Sequence, residues 1–214
     1  MNMEIKDMPK IHSPFIREMI DGFYVVTPKI DEDYKWVFEE EGVMAVEKLD
    51  GTNVSIVVED GTITHIYNRT TRIPFFNKGK SWIVQGILES YDRGYCNLTD
   101  GQYFGELIGP KVQGNPYKLD RHMWIPFQTY GQKHLRYKSW GQYPKDFKAI
   151  SEWFKTDIFS LFSRRHNSEH EKMFPEGIVF THPDGRMAKL RRDMFEWFEG
   201  DSHHRRKSKT EELL

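Results

Sequence analysis

The sequence predicts an α+β fold built on antiparallel strands, and three observations carry that expectation. Short apolar runs at Val43 and Ala45, at Val54 to Val58, and again up to Tyr67 are separated by a bend at Asp50-Gly51 and a turn at Asp60-Gly61. That is the pattern of consecutive strands joined by tight connections. A second strand pair closes the chain, with Glu176 to Phe180 and Met187 to Arg192 flanking a turn at Pro183-Asp184-Gly185. Between them, residues 81–94 and 144–165 carry apolar side chains at helical spacing.

Composition narrows the class. At 214 residues, with 29% charged and 14% aromatic residues, the chain has the length and make-up of one folded domain with a tail. Lys and Arg number 31 against 32 Asp and Glu, a formal net charge of −1, so any nucleic-acid contact must come from a local basic patch. Cys96 is the only cysteine, which excludes an intrachain disulfide and a cysteine metal cluster. Met1 to Phe15 has no apolar core of signal-peptide length and no run approaches a membrane span, so a cytoplasmic location is expected.

Taken in order, residues 1–42 read as an irregular lead-in interrupted by Pro9, Pro14 and Pro28, with one strand at Gly22 to Thr27. Arg69 and Arg72 follow the third strand of the early block, where a guanidinium can meet a phosphate. Ser81 is a suitable N-cap for a helix that packs Ile83, Ile87, Leu88 and Tyr91 and ends near Gly94. Glu106 stands in an apolar strand between Phe104 and Leu107, where a carboxylate needs a partner. His122 to Tyr130 reads as a strand offering Trp124 and Phe127 as aromatic platforms. Pro144 suits the first turn of one long amphipathic helix, continuous or broken, reaching about Arg165. His166 and His170 lack the intervening residues and third ligand of a zinc site. Lys189 and Arg191 have strand spacing and share a face, while Arg192 points away. Residues 201–214 form a basic tail, expected to be disordered.

The stretch Glu47-Lys48-Leu49-Asp50-Gly51-Thr52-Asn53 carries the chemistry. A lysine amine attacks phosphorus only when unprotonated, and neighbouring cations, a metal or partial burial favour that state. Asp50, two residues on, is placed to orient the amine and a metal, and Gly51 lets the backbone turn close to a ligand. Two convergent cations such as Lys189 and Arg191 suit an α-phosphate on which negative charge builds.

Read together, these pieces resemble the covalent nucleotidyltransferase superfamily of ATP-dependent DNA and RNA ligases and mRNA capping enzymes, in order over roughly residues 45–192. Lys48-Leu49-Asp50-Gly51 is similar to its nucleophile motif, Arg69 to the following arginine motif, and Phe104-Gly105-Glu106-Leu107 to the third. Glu176-Gly177 is similar to the fourth motif and Lys189-Leu190-Arg191 to the fifth. Thr52-Asn53 and Gly109-Pro110 are most similar to RNA ligases of the phage nick-sealing kind. Three departures stand out: Arg191 in place of a second lysine, Gln128 where an aspartate is common, and only about 22 residues after Arg192, from which the C-terminal accessory domain is expected to be missing.

The resemblance implies two antiparallel β-sheets flanked by helices, forming an ATP-grasp-like nucleotide cleft. It implies a lead-in over 1–42 packed on an adenylyltransferase domain at 43–200. Activity would be ATP-dependent RNA ligation through a lysyl-AMP on Lys48, with ATP and Mg2+ (or Mn2+) as cofactors and RNA ends or a nicked RNA-containing duplex as substrate. Lys48, Asp50, Lys189 and Arg191 would be catalytic, with Asp50 and Glu176 holding the metal. Glu47, Arg69, Glu106, Phe127 and Glu176 would join Lys48, Lys189 and Arg191 around the nucleotide, Trp124 standing as the alternative stacker. Asn53, Arg69 and Arg72 would meet the substrate. A monomer without membrane association is expected, binding RNA weakly and salt-sensitively with help from the tail. A DNA nick ligase, a capping-type guanylyltransferase and a non-catalytic nucleotide- or RNA-binding module are the alternatives.

Overall fold

The computed structural model describes residues 4–76, 78–96, 99–142, 144–167 and 172–200. Among these, ten strands form three antiparallel sheets with short helices beside them, an α+β architecture as expected. Contacts divide the chain into two compact units, one of residues 1–10 and 49–136, the other of 11–48 and 137–214.

The second unit opens with β1 (Phe15–Ile20) and β2 (Phe23–Ile30), paired as a two-stranded ribbon. Where the sequence reading has one strand, there are two, because Asp21 and Gly22 both take positive φ (48° and 81°) and close a two-residue hairpin. After α1 (Trp36–Glu39) comes β3 (Met44–Lys48).

The first unit then runs through β4 (Thr52–Glu59), β5 (Thr62–Asn68), β6 (Thr71–Ile73), α2 (Ser81–Asp92), β7 (Gly101–Ile108) and β8 (Met123–Pro126). Its five-stranded sheet has the order β6-β5-β4-β7-β8. One face buries Val54, Ile56, Val58, Leu107 and Trp124 against Ile83 and Ile87 of α2. Helix and sheet approach closely because Gly86 has no side chain: a Cβ there would stand 2.5 Å from Leu107 Cδ1. Leu88 and Tyr91 of α2 are exposed and do not join this core, because the buried stripe of the helix runs through Ile83, Gly86, Ile87 and Ser90. Ser81 is the first helical residue rather than the cap, Lys80 taking that place without a side-chain bond. Strand β8 ends at Pro126, and Phe127–Gly131 is a π-helical turn followed by α3 (Gln132–His134).

Back in the second unit, the helix expected over 144–165, continuous or broken, takes the broken form: α4 (Phe147–Glu152), a π-helical turn (Trp153–Asp157) and α5 (Leu161–His166). Pro144 lies outside it. Asp146 is the cap, its carboxylate accepting from the Ala149 N–H at 2.9 Å, and Ser160 caps α5 in the same way through Ser163. Strands β9 (Gly177–Thr181) and β10 (Met187–Arg191) join β3 in the order β10-β9-β3. Ala45, Ile178, Phe180, Ala188 and Leu190 bury one face against Phe15, Trp36, Ile150 and Phe154. His170 and the tail at 201–214 lie outside the described residues. Among the described residues no helix is long and apolar enough to cross a membrane.

Candidate active site

The site in the second unit follows from strand pairing. Across β3, β9 and β10 the registers are Lys48↔Gly177↔Arg191, Glu47↔Ile178↔Leu190 and Val46↔Val179↔Lys189. Side chains in successive rows alternate between faces. Lys48, Arg191 and Lys189 therefore share the face opposite the core, three cations delivered by two strands. Gly177, in the row between Lys48 and Arg191, is required there: a Cβ would collide with the Leu190 carbonyl and stand 2.6 Å from Arg191 Cα.

Glu176, immediately before β9, completes the cluster. Lys48 Nζ donates to Glu176 Oε2 at 2.6 Å, and the other carboxylate oxygen lies 3.9 Å from Arg191 Nε. Arg191 in turn donates to Asp193 Oδ1 at 2.8 Å, a buried pair that fixes the guanidinium. The Lys189 ammonium is held below the usual lysine range, chiefly by burial and then by the charges of Arg191 and Lys48.

Glu47 is placed differently from expectation. It projects to the core face, only 4% exposed, away from Lys48. Its carboxylate accepts from Ser160 Oγ at 2.5 Å and from the Phe162 N–H at 2.8 Å, at the start of α5. Burial pushes this carboxyl up from 4.5 to about 7, against the opposing effect of those hydrogen bonds.

The first unit has its own polar face. Its registers Asn53↔Glu106↔Ile125, Ser55↔Phe104 and Ser55↔Tyr67↔Arg72 put Asn53, Glu106, Tyr67 and Arg72 opposite the face that packs on α2. Asn53 Oδ1 is buried with no hydrogen-bond partner in the structure, a cost that a ligand donor would relieve. Arg69 sits in the β5–β6 turn with φ 54° and is exposed. Trp124 is fully buried and its indole N–H donates to the Val54 carbonyl at 2.9 Å, so its ring is committed to the core. Phe127, at the start of the π-helical turn, is only partly buried.

Asp50 and Gly51 are held by residues the sequence reading leaves out. The Asp50 N–H donates to the buried Tyr117 hydroxyl at 2.9 Å, and Gln113 Nε2 donates to the Gly51 carbonyl at 3.3 Å. A Cβ on Gly51 would lie 2.5 Å from the Leu107 carbonyl, so this bend needs glycine for space. Also unforeseen is the segment after β6, where Phe76 is fully exposed and Phe75 38% exposed, between Arg72 and Lys78. The run of aromatic and basic residues without an acid from Arg69 to Lys80 was the available signal.

Comparison with known proteins follows this geometry. The sequence model of the family described as RNA ligase matches residues 41–197. Among curated proteins, none matches the chain. Among solved structures, a Naegleria gruberi RNA ligase mutant with ATP and Mn is similar with a TM-score of 0.49 at 15% identity, over 85% of this chain and 59% of that one. The same ligase with pyrophosphate gives 0.46 at 16%, over 89% and 62%, and an apo mutant 0.46 at 16%, over 86% and 61%. The chain thus spans 59–62% of the length of these three structures.

Proposed function

The chain belongs to the RNA ligase family, and from that premise we propose that it is an ATP-dependent RNA ligase working through a lysyl-AMP on Lys48. The observation that carries the reading is the face of β3, β9 and β10, where Lys48 shares a row with Arg191, bonds Glu176 at 2.6 Å and has Lys189 beside it.

In this reading Lys48 Nζ attacks the α-phosphorus of ATP as the bond to pyrophosphate breaks, leaving AMP on the amine. The adenylate passes to the 5′-phosphate of an RNA end, and a 3′-hydroxyl then displaces AMP to form the phosphodiester. Lys189 and Arg191 stabilise the charge that builds on the phosphorus oxygens, with the Asp193 pair keeping the Arg191 fork in one orientation. Positive neighbours favour the unprotonated amine that attack requires, whereas the 2.6 Å pairing with Glu176 favours the ammonium and is relieved when Glu176 turns to a cation.

A divalent cation would neutralise the leaving pyrophosphate. Glu176 suits such an ion, because magnesium is commonly held by one or two carboxylates together with substrate phosphates. In the first unit we assign Glu106 to the ribose and Phe127, rather than the buried Trp124, to the adenine. Asp50 is assigned to the phosphate-bound metal, and Asn53, Arg69 and Arg72 to the RNA end, with Phe75 and Phe76 beside them.

The test is incubation with magnesium and α-labelled ATP, followed by denaturation. Label on the parent polypeptide and none on Lys48→Ala is the expected result. Absence of label from the parent, even after pyrophosphate treatment to clear any pre-formed adenylate, would overturn the reading. Labelling by GTP in place of ATP would move it to a capping-type reaction.

A further inference from the structure

We infer that the outer face of the β1–β2 ribbon is a binding surface for the RNA strand, with Tyr24 a platform on which a base stacks and Arg17 the contact to an adjacent phosphate. This rests on the ligase reading above and adds to it a surface for the polynucleotide.

The register of the ribbon pairs Arg17 with Val26 and Met19 with Tyr24, so all four share one face, which joins the core at Val26 and opens to solvent towards the hairpin at Met19 and Tyr24. Tyr24 is 57% exposed and Met19 44%. The neighbouring guanidinium is fixed, since Arg17 Nη2 donates to the Tyr24 carbonyl at 2.6 Å and its Cζ lies 5.8 Å from the Tyr24 ring centroid. A cation held beside an open ring is the pairing that single strands use, one group for the phosphate and one for the base.

The ribbon is also continuous with the site. The Lys189 N–H donates to the His12 carbonyl at 2.8 Å, which ties the segment entering β1 to edge strand β10. Burial and then the charge of Arg191 lower the hold of Arg17 on its proton, with Asp193 opposing, and the charge of Arg17 reaches Lys189 in the same lowering sense. The line of cations that starts at Lys48 thus passes through Arg191 and Lys189 and leaves the sheet at Arg17. The carboxylates nearby are engaged elsewhere or stand apart. Glu176 bonds Lys48, Asp193 bonds Arg191, and Glu18 pairs with Lys29 at 2.7 Å on the other side of the ribbon, while Asp21 stands at the hairpin tip. A polyanion with flat bases uses both halves of this surface. An apolar protein partner would bury the cations without compensation.

The test measures anisotropy of a labelled, single-stranded, 5′-phosphorylated RNA on the full chain, with ATP-dependent labelling of the polypeptide run in parallel. Tyr24→Ala is expected to weaken RNA binding about tenfold, Tyr24→Phe to restore it, and Arg17→Ala to lower the salt slope of binding by about one. Unchanged affinity in both alanine variants overturns the inference. So does a raised KM for ATP with RNA affinity intact in Arg17→Ala, which would make Arg17 a polyphosphate contact. Failure of the parent to become labelled at all would sink the ligase reading instead, and is separately visible. Thermal melts of each variant distinguish loss of the surface from loss of the fold, and Tyr24→Phe answers if the alanine variant unfolds.

Discussion

Replacing Glu47 by glutamine should remove a pH dependence of stability while leaving the fold intact. Folding raises this carboxyl from 4.5 to about 7, so the native state binds the proton more tightly than the unfolded chain does. The stabilisation linked to it is full below pH about 4.5 and is lost as pH rises toward about 7, above which nothing further changes. At about 1.4 kcal/mol per pH unit the loss amounts to about 3 kcal/mol. The amide can keep both partners: its oxygen accepts from the Phe162 N–H, and its NH2 donates to Ser160 Oγ, which has a second lone pair beyond the one used by the Ser163 N–H. Urea unfolding at pH 5 and pH 8 measures the effect. The parent should lose about 2.5 kcal/mol more than Glu47→Gln between the two conditions, the rest having gone below pH 5. Equal losses in both proteins would refute the reasoning, since contributions from other groups are common to them and cancel.

Other substitutions test separate parts of the structure. Gly105→Ala places a Cβ 2.6 Å from the Trp124 indole and should destabilise by about 1–3 kcal/mol, read from the thermal midpoint. Asp146→Ala removes the cap of α4 and should cost about 1 kcal/mol by urea titration, with the rate of ATP labelling unaffected. Lys189→Met, which preserves the stem and deletes the charge beside Lys48, should slow self-adenylylation about 100-fold or more in single-turnover assays. A loss below about threefold would remove Lys189 from the proposed chemistry.

Much of the outline was legible in the sequence because it is written in local chemistry. Asp60-Gly61 closes a hairpin, strand spacing puts Lys189 and Arg191 on one face, and Lys48 ends a strand. What stayed hidden depends on distant partners. Nothing near Glu47 in the chain says that Ser160 and Phe162 will receive its carboxylate, so the local sequence groups it with its neighbour Lys48. Trp124 and Phe127 look equivalent until Pro126 ends the strand between them, and then one ring is core while the other opens a helical turn. Phe15 to Ile20 lacks the composition of a strand, and only the Asp21-Gly22 turn marked the hairpin that contains it. Tyr117 lies 67 residues from the backbone amide it receives, beyond any local pattern.

The alternation in β3 has a further consequence for how this chain tolerates change. Glu47 and Lys48 are consecutive, and their opposite charges are sorted to opposite sides only by which residue meets Gly177. Deleting or inserting a single codon upstream within β3 would exchange them, sending the ammonium into a sealed apolar interior and the carboxylate among the cations. Both errors would be incurred at once by a change that leaves Lys48, Lys189 and Arg191 all encoded. Selection on this strand should therefore act on its length as strictly as on its lysine, whereas the exposed turn at Asp60-Gly61 is free to accept extra residues.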